Sequence, residues 1–312
     1  MQKKEISYPS ANGTDTIRAY IRLPEEPEKA IGIVQISHGV CEYFGRYEWF
    51  CDFLCKNGLI VCGNDHLGHG NSVKTPEDLG YFAKKDGWKF LSEDVYTLTK
   101  LIKEQYPNLP VFLFGHSMGS YIARAYLNAH GGELAGAILC GTSPKNPKSA
   151  IGKILTAMYT LFKGDRYRSA FAKNLACDGY LDRIPNHRTE NDWLTKDAMI
   201  VDKYCADPLC NYTVTVSGYY DLIKILEFIN TPKGVENIPK DLPIFFVFGT
   251  DDPVSEYGRG PAQTISLLES AGCTRCSIKG YDGDRHELLN ELDRERVAQD
   301  ILDFIQGRIS ER

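Results

Sequence analysis

The amino-acid sequence predicts an α/β protein built on a mostly parallel sheet with helices on both faces. The first observation is a set of short, nearly continuous apolar runs at residues 31–37, 59–64, 111–114, 134–140 and 244–248. Strands that are buried on both faces of a parallel sheet have this pattern. The second observation is that helical periods separate several of these runs, which indicates strands joined by right-handed crossovers.

The segment before these runs has a different pattern, because its apolar and polar residues alternate. One face of residues 16–23 is formed by Ile17, Ala19, Ile21 and Leu23. An alternation of this kind is typical of a half-buried strand in an antiparallel hairpin.

Two later segments have apolar residues three or four positions apart, which is the period of an amphipathic helix. The first contains Leu91, Val95, Leu98 and Ile102, and the second contains Val297, Ile301, Phe304 and Ile305. The sequence therefore predicts one helix before the run at 111–114 and another close to the C-terminus.

Between Cys140 and Ile244 the strand–helix alternation is lost for about a hundred residues, which is too long for a plain loop. We predict that residues 144–232, here named the cap segment, form a largely helical insertion in a core made of residues 1–143 and 233–312. Within the cap segment, residues 145–188 hold nine Lys or Arg against three Asp or Glu. This basic stretch is either a solvated helical face or a surface that contacts anionic membrane head groups.

Composition excludes several classes of function. The formal net charge of -5 gives no basic face for nucleic acid, and no apolar run approaches the length of a membrane-spanning helix. The segment Met1 to Tyr8 lacks the apolar region of a signal peptide, so we expect a cytoplasmic protein. The 10 cysteines lack the spacing of a metal site and are expected to be small buried hydrophobes. No metal, disulfide or cofactor is predicted.

The chemistry of the chain is predicted to centre on Gly115-His-Ser-Met-Gly119, a G-x-S-x-G motif. The motif follows an apolar strand and precedes a predicted helix at 120–128, which is the strand–turn–helix context that a nucleophilic serine requires. The turn forces Ser117 into a strained backbone conformation, and side chains at the two glycines would collide with neighbouring elements. Ser117 is therefore the predicted nucleophile.

A serine hydroxyl needs a base, and the base needs an orienting carboxylate. His286 lies in a polar loop between the last strand-like run, residues 276–279, and the last helix. A base that follows the nucleophile and the acid in chain order belongs there. Asp252 follows the run at 244–248 and precedes Pro253, which holds it extended. Asp251 is better explained as a turn residue.

A tetrahedral intermediate also needs two N–H donors. One is predicted to be Met118, the residue after the nucleophile. The loop after the run at 31–37 is predicted to supply the second, the Val40 N–H, because Gly39 lets the backbone approach closely.

The sequence resembles the monoacylglycerol lipase and lysophospholipase branch of the α/β-hydrolases, and its bacterial members in particular. The matching segments run in the family's order over nearly the whole chain: 38–47, 65–72, 115–119, 207–210 with 217–221, 249–254 and 286–291. The resemblance implies the α/β-hydrolase fold, a mostly parallel eight-stranded sheet with a helical cap insertion. It also implies that Ser117, Asp252 and His286 form a catalytic triad and that Val40 and Met118 form the oxyanion hole.

The predicted function is hydrolysis of carboxylic esters through an acyl-enzyme on Ser117, with a lipid-like ester such as a monoacylglycerol or lysophospholipid as substrate. Apolar residues of the cap segment either line an acyl channel or pack onto the core: Ile154, Leu155, Met158, Leu161 and Phe162. The alternatives are a small-ester carboxylesterase, an acyltransferase and a proline iminopeptidase-like aminopeptidase, in which Glu42 or Asp178 would hold the substrate ammonium. A non-catalytic binding protein is disfavoured because all three triad positions are filled. We expect a monomer or homodimer that contacts membranes peripherally through the cap segment.

Overall fold

An eight-stranded sheet forms the centre of the structure, a computed structural model that describes residues 2–311. Residues 1 and 312, the two ends of the predicted core, lie outside that description. The strands are β1 Gln2–Pro9, β2 Thr16–Leu23, β3 Gly32–Ser37, β4 Leu59–Asn64, β5 Val111–His116, β6 Gly136–Cys140, β7 Ile244–Gly249 and β8 Cys276–Tyr281. Their order is β1-β2-β4-β3-β5-β6-β7-β8. The β1–β2 and β2–β4 pairs are antiparallel and the other pairs are parallel, so the predicted fold class is confirmed.

Helices cover both faces of this sheet. They are α1 Glu48–Lys56, α2 Gly87–Gln105, α3 Met118–His130, α4 Ser149–Lys163, α5 Ala170–Ala176, α6 Ala198–Ala206, α7 Val216–Ile229, α8 Arg259–Ser270 and α9 Arg294–Ser310. Neighbouring β3 residues point to opposite faces. Ile33 belongs to the apolar cluster with α2 and α3, whereas Val34 belongs to the cluster with α1 and α9. None of the helices described for residues 2–311 is long and apolar enough to cross a membrane.

The alternating segment forms the strand that the sequence predicts. In β2 the four apolar residues are buried: Ile17, Ala19, Ile21 and Leu23. β2 pairs with β1 as an antiparallel hairpin and joins the parallel strands through β4. The alternation of apolar and polar residues in β2 therefore indicates a strand with one buried face.

The cap segment contains α4, α5, α6 and α7, and no strand is described within residues 144–232. It leaves the sheet after β6 and returns before β7. The buried side chain of Arg124 in α3 contacts the residue that directly precedes the segment and two residues near the segment's other end. It donates hydrogen bonds to the Ser143 carbonyl at 3.3 Å and to the Ile229 carbonyl and Asn230 Oδ1 at 2.9 Å. The boundaries of the insertion and its status as a separate unit stay a prediction.

The carboxyl ends of the parallel strands meet at one edge of the sheet, where ligands bind in open α/β sheets. Ser117 follows β5, Asp252 follows β7 and His286 follows β8. The segment 38–42, here named the donor loop, follows β3 at the same edge. The topology thus gathers the four predicted site segments although they are distant in sequence.

Gly119 allows α3 to begin against the end of β3. A Cβ at this position would lie 1.9 Å from the Ser37 carbonyl oxygen. We expect Gly119→Ala to lower the free energy of unfolding by about 3 kcal/mol, because the backbone of one element would have to move. Urea denaturation followed by circular dichroism measures the loss.

Gly307→Ala in α9 is the matched control for this substitution. Nothing lies within 4 Å of the Cβ position at Gly307. Alanine there is expected to stabilise the protein by about 1 kcal/mol, since it is the better helix former. A Gly119→Ala protein as stable as wild type would contradict the close approach of α3 to β3.

Candidate active site

Ser117 forms the whole turn between β5 and α3. Its backbone is left-handed, with φ 52° and ψ -122°, which few non-glycine residues adopt. The Ser117 N–H donates to the Cys140 carbonyl at 3.0 Å and anchors the turn to β6. A Cβ at Gly115 would lie 2.5 Å from the Gly119 carbonyl oxygen, so this position also needs glycine.

Asp252 and His286 form a buried pair at the same edge of the sheet. The distance between His286 Nδ1 and Asp252 Oδ1 is 2.9 Å, and both side chains are almost fully excluded from solvent. Asp251 is exposed, whereas Asp252 Oδ1 also accepts the Val254 N–H at 2.8 Å. Burial alone would raise the pKa of the Asp252 carboxyl. The charge of His286 and the hydrogen bonds from His286 and Val254 outweigh burial and hold that pKa below its ordinary value.

The pairing with Asp252 determines which His286 nitrogen is free to act as a base. Because a carboxylate only accepts hydrogen bonds, Nδ1 carries a proton, and in the neutral imidazole Nε2 then carries the lone pair. His286 Nε2 is buried and has no hydrogen-bond partner among residues 2–311. It makes no hydrogen bond with Ser117, but both residues line one cavity. Gly141 leaves room for the ring, since a Cβ there would lie 2.8 Å from His286 Cε1.

Val40 and Met118 line the same cavity as Ser117. Neither backbone N–H donates to an acceptor among the described residues, whereas the neighbouring Gly39 N–H is already bound by the Glu42 carboxylate. Met118 is the first residue of α3, where the helix dipole favours negative charge. The two predicted donors are therefore available to a ligand oxygen.

The cavity over Ser117 has a volume of about 790 Å³, within the range of small-molecule sites. Helices of the cap segment supply much of its apolar wall: Leu155 and Thr156 from α4, Ala172 and Leu175 from α5, and Tyr219, Leu222, Ile223 and Leu226 from α7.

Four of the five α4 residues predicted to line a channel or to pack on the core do neither. Only Leu155 lines the cavity. The other four lie on the outer face of α4 and are more than half exposed: Ile154, Met158, Leu161 and Phe162. Both predictions for them are wrong, because α4 places Gly152, Leu155 and Thr156 toward α7 and the cavity instead.

Three other histidines that follow strands support the donor loop. The rings of His38, His66 and His69 are buried together, with 4.2 Å between the His38 and His66 ring centroids. His38 Nε2 accepts the His66 backbone N–H at 2.9 Å. Burial lowers the pKa of each of the three imidazoles, that of His69 to about 3. Residues 2–311 contain no group of three or more His, Cys, Asp or Glu side chains arranged to hold a metal ion.

The sequence did not reveal the contact between Trp193 and His286. The two rings lie 5.2 Å apart, and the backbone of the cap segment accepts hydrogen bonds from the His286 loop. The Glu287 N–H donates to the Leu194 carbonyl at 2.7 Å, and the Arg285 guanidinium donates to the Thr195 carbonyl at 3.1 Å. Trp193 lies far from His286 in the sequence and belongs to no motif, so no local signal could have found it.

Sequence reasoning also missed a group of buried charged residues behind Ser117. They are Glu42, Arg46, His116 and Glu287. A local signal was present here, since Glu42 belongs to the donor loop, His116 precedes Ser117 and Glu287 follows His286.

The chain is similar to known hydrolases over most of its length. Residues 28–293 match the family model described as "Serine aminopeptidase, S33". A solved carboxyl esterase from Bacillus coagulans, in complex with glycerol, is 34% identical, with a TM-score of 0.91 and 99% of each chain covered.

Two relatives carry names that refer to lipases. A monoglyceride lipase homolog of Monkeypox virus is 28% identical, covering 89% of this chain and 90% of the viral protein. A monoacylglycerol lipase of Mycolicibacterium smegmatis is 26% identical, covering 89% of each chain. The family description and the names of the relatives therefore point to different substrates, an amino-terminal peptide and a glycerol ester.

Proposed function

The chain belongs to the serine aminopeptidase S33 family of α/β-hydrolases, and from this membership we propose that it hydrolyses carboxylic esters of lipid-like substrates through an acyl-enzyme on Ser117. One observation carries the proposal. Ser117, on its strained turn, and the free Nε2 of the Asp252–His286 pair face one cavity with an apolar wall. The names of the similar proteins, monoacylglycerol lipase among them, support the same chemistry.

In this proposal His286 Nε2 takes the Ser117 proton as Oγ attacks the acyl carbon. The Val40 and Met118 N–H groups stabilise the oxyanion of the tetrahedral intermediate. His286 then gives its proton to the departing alcohol, which leaves the acyl group on Ser117. Water, deprotonated by His286, attacks the acyl carbon and releases the acid, and the proton returns to Ser117. Asp252 keeps the imidazole in one tautomer and stabilises the imidazolium that forms twice in this cycle.

The state of two carboxylates favours an ester over an aminopeptidase substrate. An aminopeptidase needs a carboxylate that is free to bind the substrate ammonium. Glu42, one predicted candidate, already binds Arg46 Nη1 at 3.0 Å, the Tyr47 hydroxyl at 2.8 Å and His116 Nδ1 at 3.0 Å. Asp178, the other candidate, binds Lys148 Nζ at 2.7 Å. With both groups engaged, an uncharged acyl group fits the site better than an aminoacyl group that carries an ammonium.

We expect turnover of monoacylglycerol and of nitrophenyl esters of medium or long acyl chains, with little hydrolysis of an aminoacyl-naphthylamide. Ser117→Ala is expected to lower ester turnover by roughly a thousandfold or more, because the acyl-enzyme cannot form. Ser266→Ala on the exposed surface of α8 is the control and keeps wild-type turnover. Cleavage of the naphthylamide alone would move the chain to the peptidases, and ester turnover that survives Ser117→Ala would remove Ser117 from the mechanism.

We also propose that the outer face of α4 contacts lipid surfaces that carry anionic head groups. The exposed apolar residues on this face are Ile151, Ile154, Met158, Leu161 and Phe162. Monomeric proteins rarely expose contiguous apolar patches of this kind without a partner. The excess of Lys and Arg in residues 145–188 complements an anionic surface. A cytoplasmic location and a monomeric or homodimeric state stay predictions from the sequence.

The double variant Leu161→Asp, Phe162→Asp is expected to weaken vesicle binding at least tenfold, since each of these side chains contributes roughly 2 kcal/mol when buried in lipid. Co-sedimentation with vesicles of phosphatidylglycerol and phosphatidylcholine measures the change. The control is Ile278→Asp, Leu292→Asp, which alters exposed apolar residues outside the cap segment. Equal vesicle binding by wild type and the α4 variant would contradict this contact.

A further inference from the structure

Behind Ser117 lies a buried group of side chains, here named the Glu42 cluster: Glu42, Arg46, Tyr47, His116 and Glu287. Arg46 forms a bidentate pair with Glu287 at 2.6 and 2.8 Å and also binds Glu42 Oε2 at 3.0 Å. Glu42 Oε1 accepts the Tyr47 hydroxyl at 2.8 Å and lies 3.0 Å from His116 Nδ1. The four side chains other than Arg46 are less than 10% exposed, and that of Arg46 is 11% exposed. The cluster is thus largely withdrawn from bulk solvent, and Glu42, His116 and Glu287 also line the cavity over Ser117.

This cluster joins three segments of the proposed active site. Glu42 Oε1 accepts the Gly39 N–H, next to the predicted donor Val40. His116 directly precedes Ser117, and its Nε2 lies 3.3 Å from the His286 carbonyl oxygen. Glu287 directly follows His286. Each segment therefore has one residue in the cluster or bound to it.

The charges of the cluster balance only when His116 carries a proton on both nitrogens. Glu42 and Glu287 contribute two negative charges and Arg46 one positive charge, and a buried unpaired charge is costly. The partners of His116 agree with this count. Nδ1 faces a carboxylate and Nε2 faces a backbone carbonyl, and both of these groups accept hydrogen bonds. Tyr47 uses its proton on Glu42 and leaves Nδ1 to donate.

We infer that His116, as an imidazolium, is a positioning residue that holds the donor loop and the His286 loop in register with Ser117. Its two donated hydrogen bonds connect Glu42, which fixes the Gly39 N–H, to the backbone of the proposed base. Loss of the proton leaves one net negative charge in the cluster and a ring lone pair against an acceptor, which breaks one of these connections. The inference rests on the proposed function, because it concerns how the ester-cleaving groups are held.

The groups that face His116 favour the charged form. Burial lowers the pKa of His116, but its hydrogen bond to Glu42 and the charges of Glu42 and Glu287 outweigh burial and raise that pKa above its ordinary value. Burial raises the pKa of Glu42, but the His116 hydrogen bond and the charges of His116, Arg46 and His38 lower it well below its usual range. The other facing groups are Tyr47 and the His286 ring, 4.7 Å from His116 between centroids. A raised pKa means that His116 loses its proton at a higher pH than an ordinary imidazole does.

The test compares the pH dependence of kcat/KM for nitrophenyl acetate with the titration of His116 observed by NMR on protein containing ¹⁵N-labelled histidine. His116→Asn identifies the resonance. In wild type we expect an imidazolium signal at neutral pH and an alkaline loss of kcat/KM at the pH where that signal titrates. Glu42→Gln removes the carboxylate that favours the proton, so both transitions are expected to move to lower pH by about one unit or more.

Two further variants keep the inference falsifiable. Glu287→Gln removes the other negative charge of the cluster and is expected to move both transitions to lower pH as well. This variant provides the test if the Glu42→Gln protein does not fold. Glu93→Gln is the matched control, since it removes the carboxylate that binds His130 Nε2 at 2.9 Å on the surface. It is expected to leave kcat/KM and its alkaline limb at wild-type values.

A neutral His116 at pH 7 would overturn the inference. So would an alkaline limb that stays at its wild-type pH in folded Glu42→Gln and Glu287→Gln. Failure of the proposed function looks different, because wild type would then hydrolyse no ester at any pH. In that case the rate of Ser117 labelling by a fluorophosphonate is measured over the same pH range in place of kcat/KM. The positioning role of His116 is then tested by whether the alkaline limb of that rate moves to lower pH in Glu42→Gln and Glu287→Gln.

Discussion

The left-handed backbone of Ser117 is the constraint on which the rest of the site depends. A single residue makes the turn from β5 to α3, and its φ of 52° is a conformation that packing must hold in place. The contact of Gly119 with the Ser37 carbonyl and the bond from the Ser117 N–H to Cys140 supply that packing. The same turn places the Met118 N–H at the start of α3. It also follows directly on His116, which belongs to the Glu42 cluster. A relaxed turn would therefore remove the nucleophile and one proposed oxyanion donor together.

Around this turn the buried charges lie in two groups with different tasks. The Asp252–His286 pair leaves one imidazole nitrogen, Nε2, without a partner at the cavity. The Glu42 cluster leaves no carboxylate free, because Glu42 and Glu287 are each bound by a cation. At the cavity, with its apolar wall from α4, α5 and α7, the proposed base thus has a free nitrogen, whereas the carboxylates of the Glu42 cluster are engaged. This arrangement agrees with the proposed hydrolysis of uncharged esters.

Local patterns predicted much of the fold and the positions of the proposed triad. Apolar runs located the parallel strands, although β5 continues through Gly115 and His116, which no apolar run includes. The strand–turn–helix motif located Ser117, since its geometry is set by adjacent residues. The outer face of α4 was not predictable, because a helical period shows that an apolar face exists and not what covers it. Trp193 and the Glu42 cluster depend on contacts between distant segments, which periodicity and motif spacing do not report.

The central claim is that Ser117 carries the acyl group during turnover. The most direct measurement is mass spectrometry of the protein quenched within milliseconds of mixing with a nitrophenyl ester, followed by digestion to locate the added mass. The proposed mechanism predicts an acyl group on the peptide that contains Ser117, formed before steady state and lost as the ester is consumed. An acyl group on another residue, or rapid ester hydrolysis with no acyl group on the protein, would contradict it.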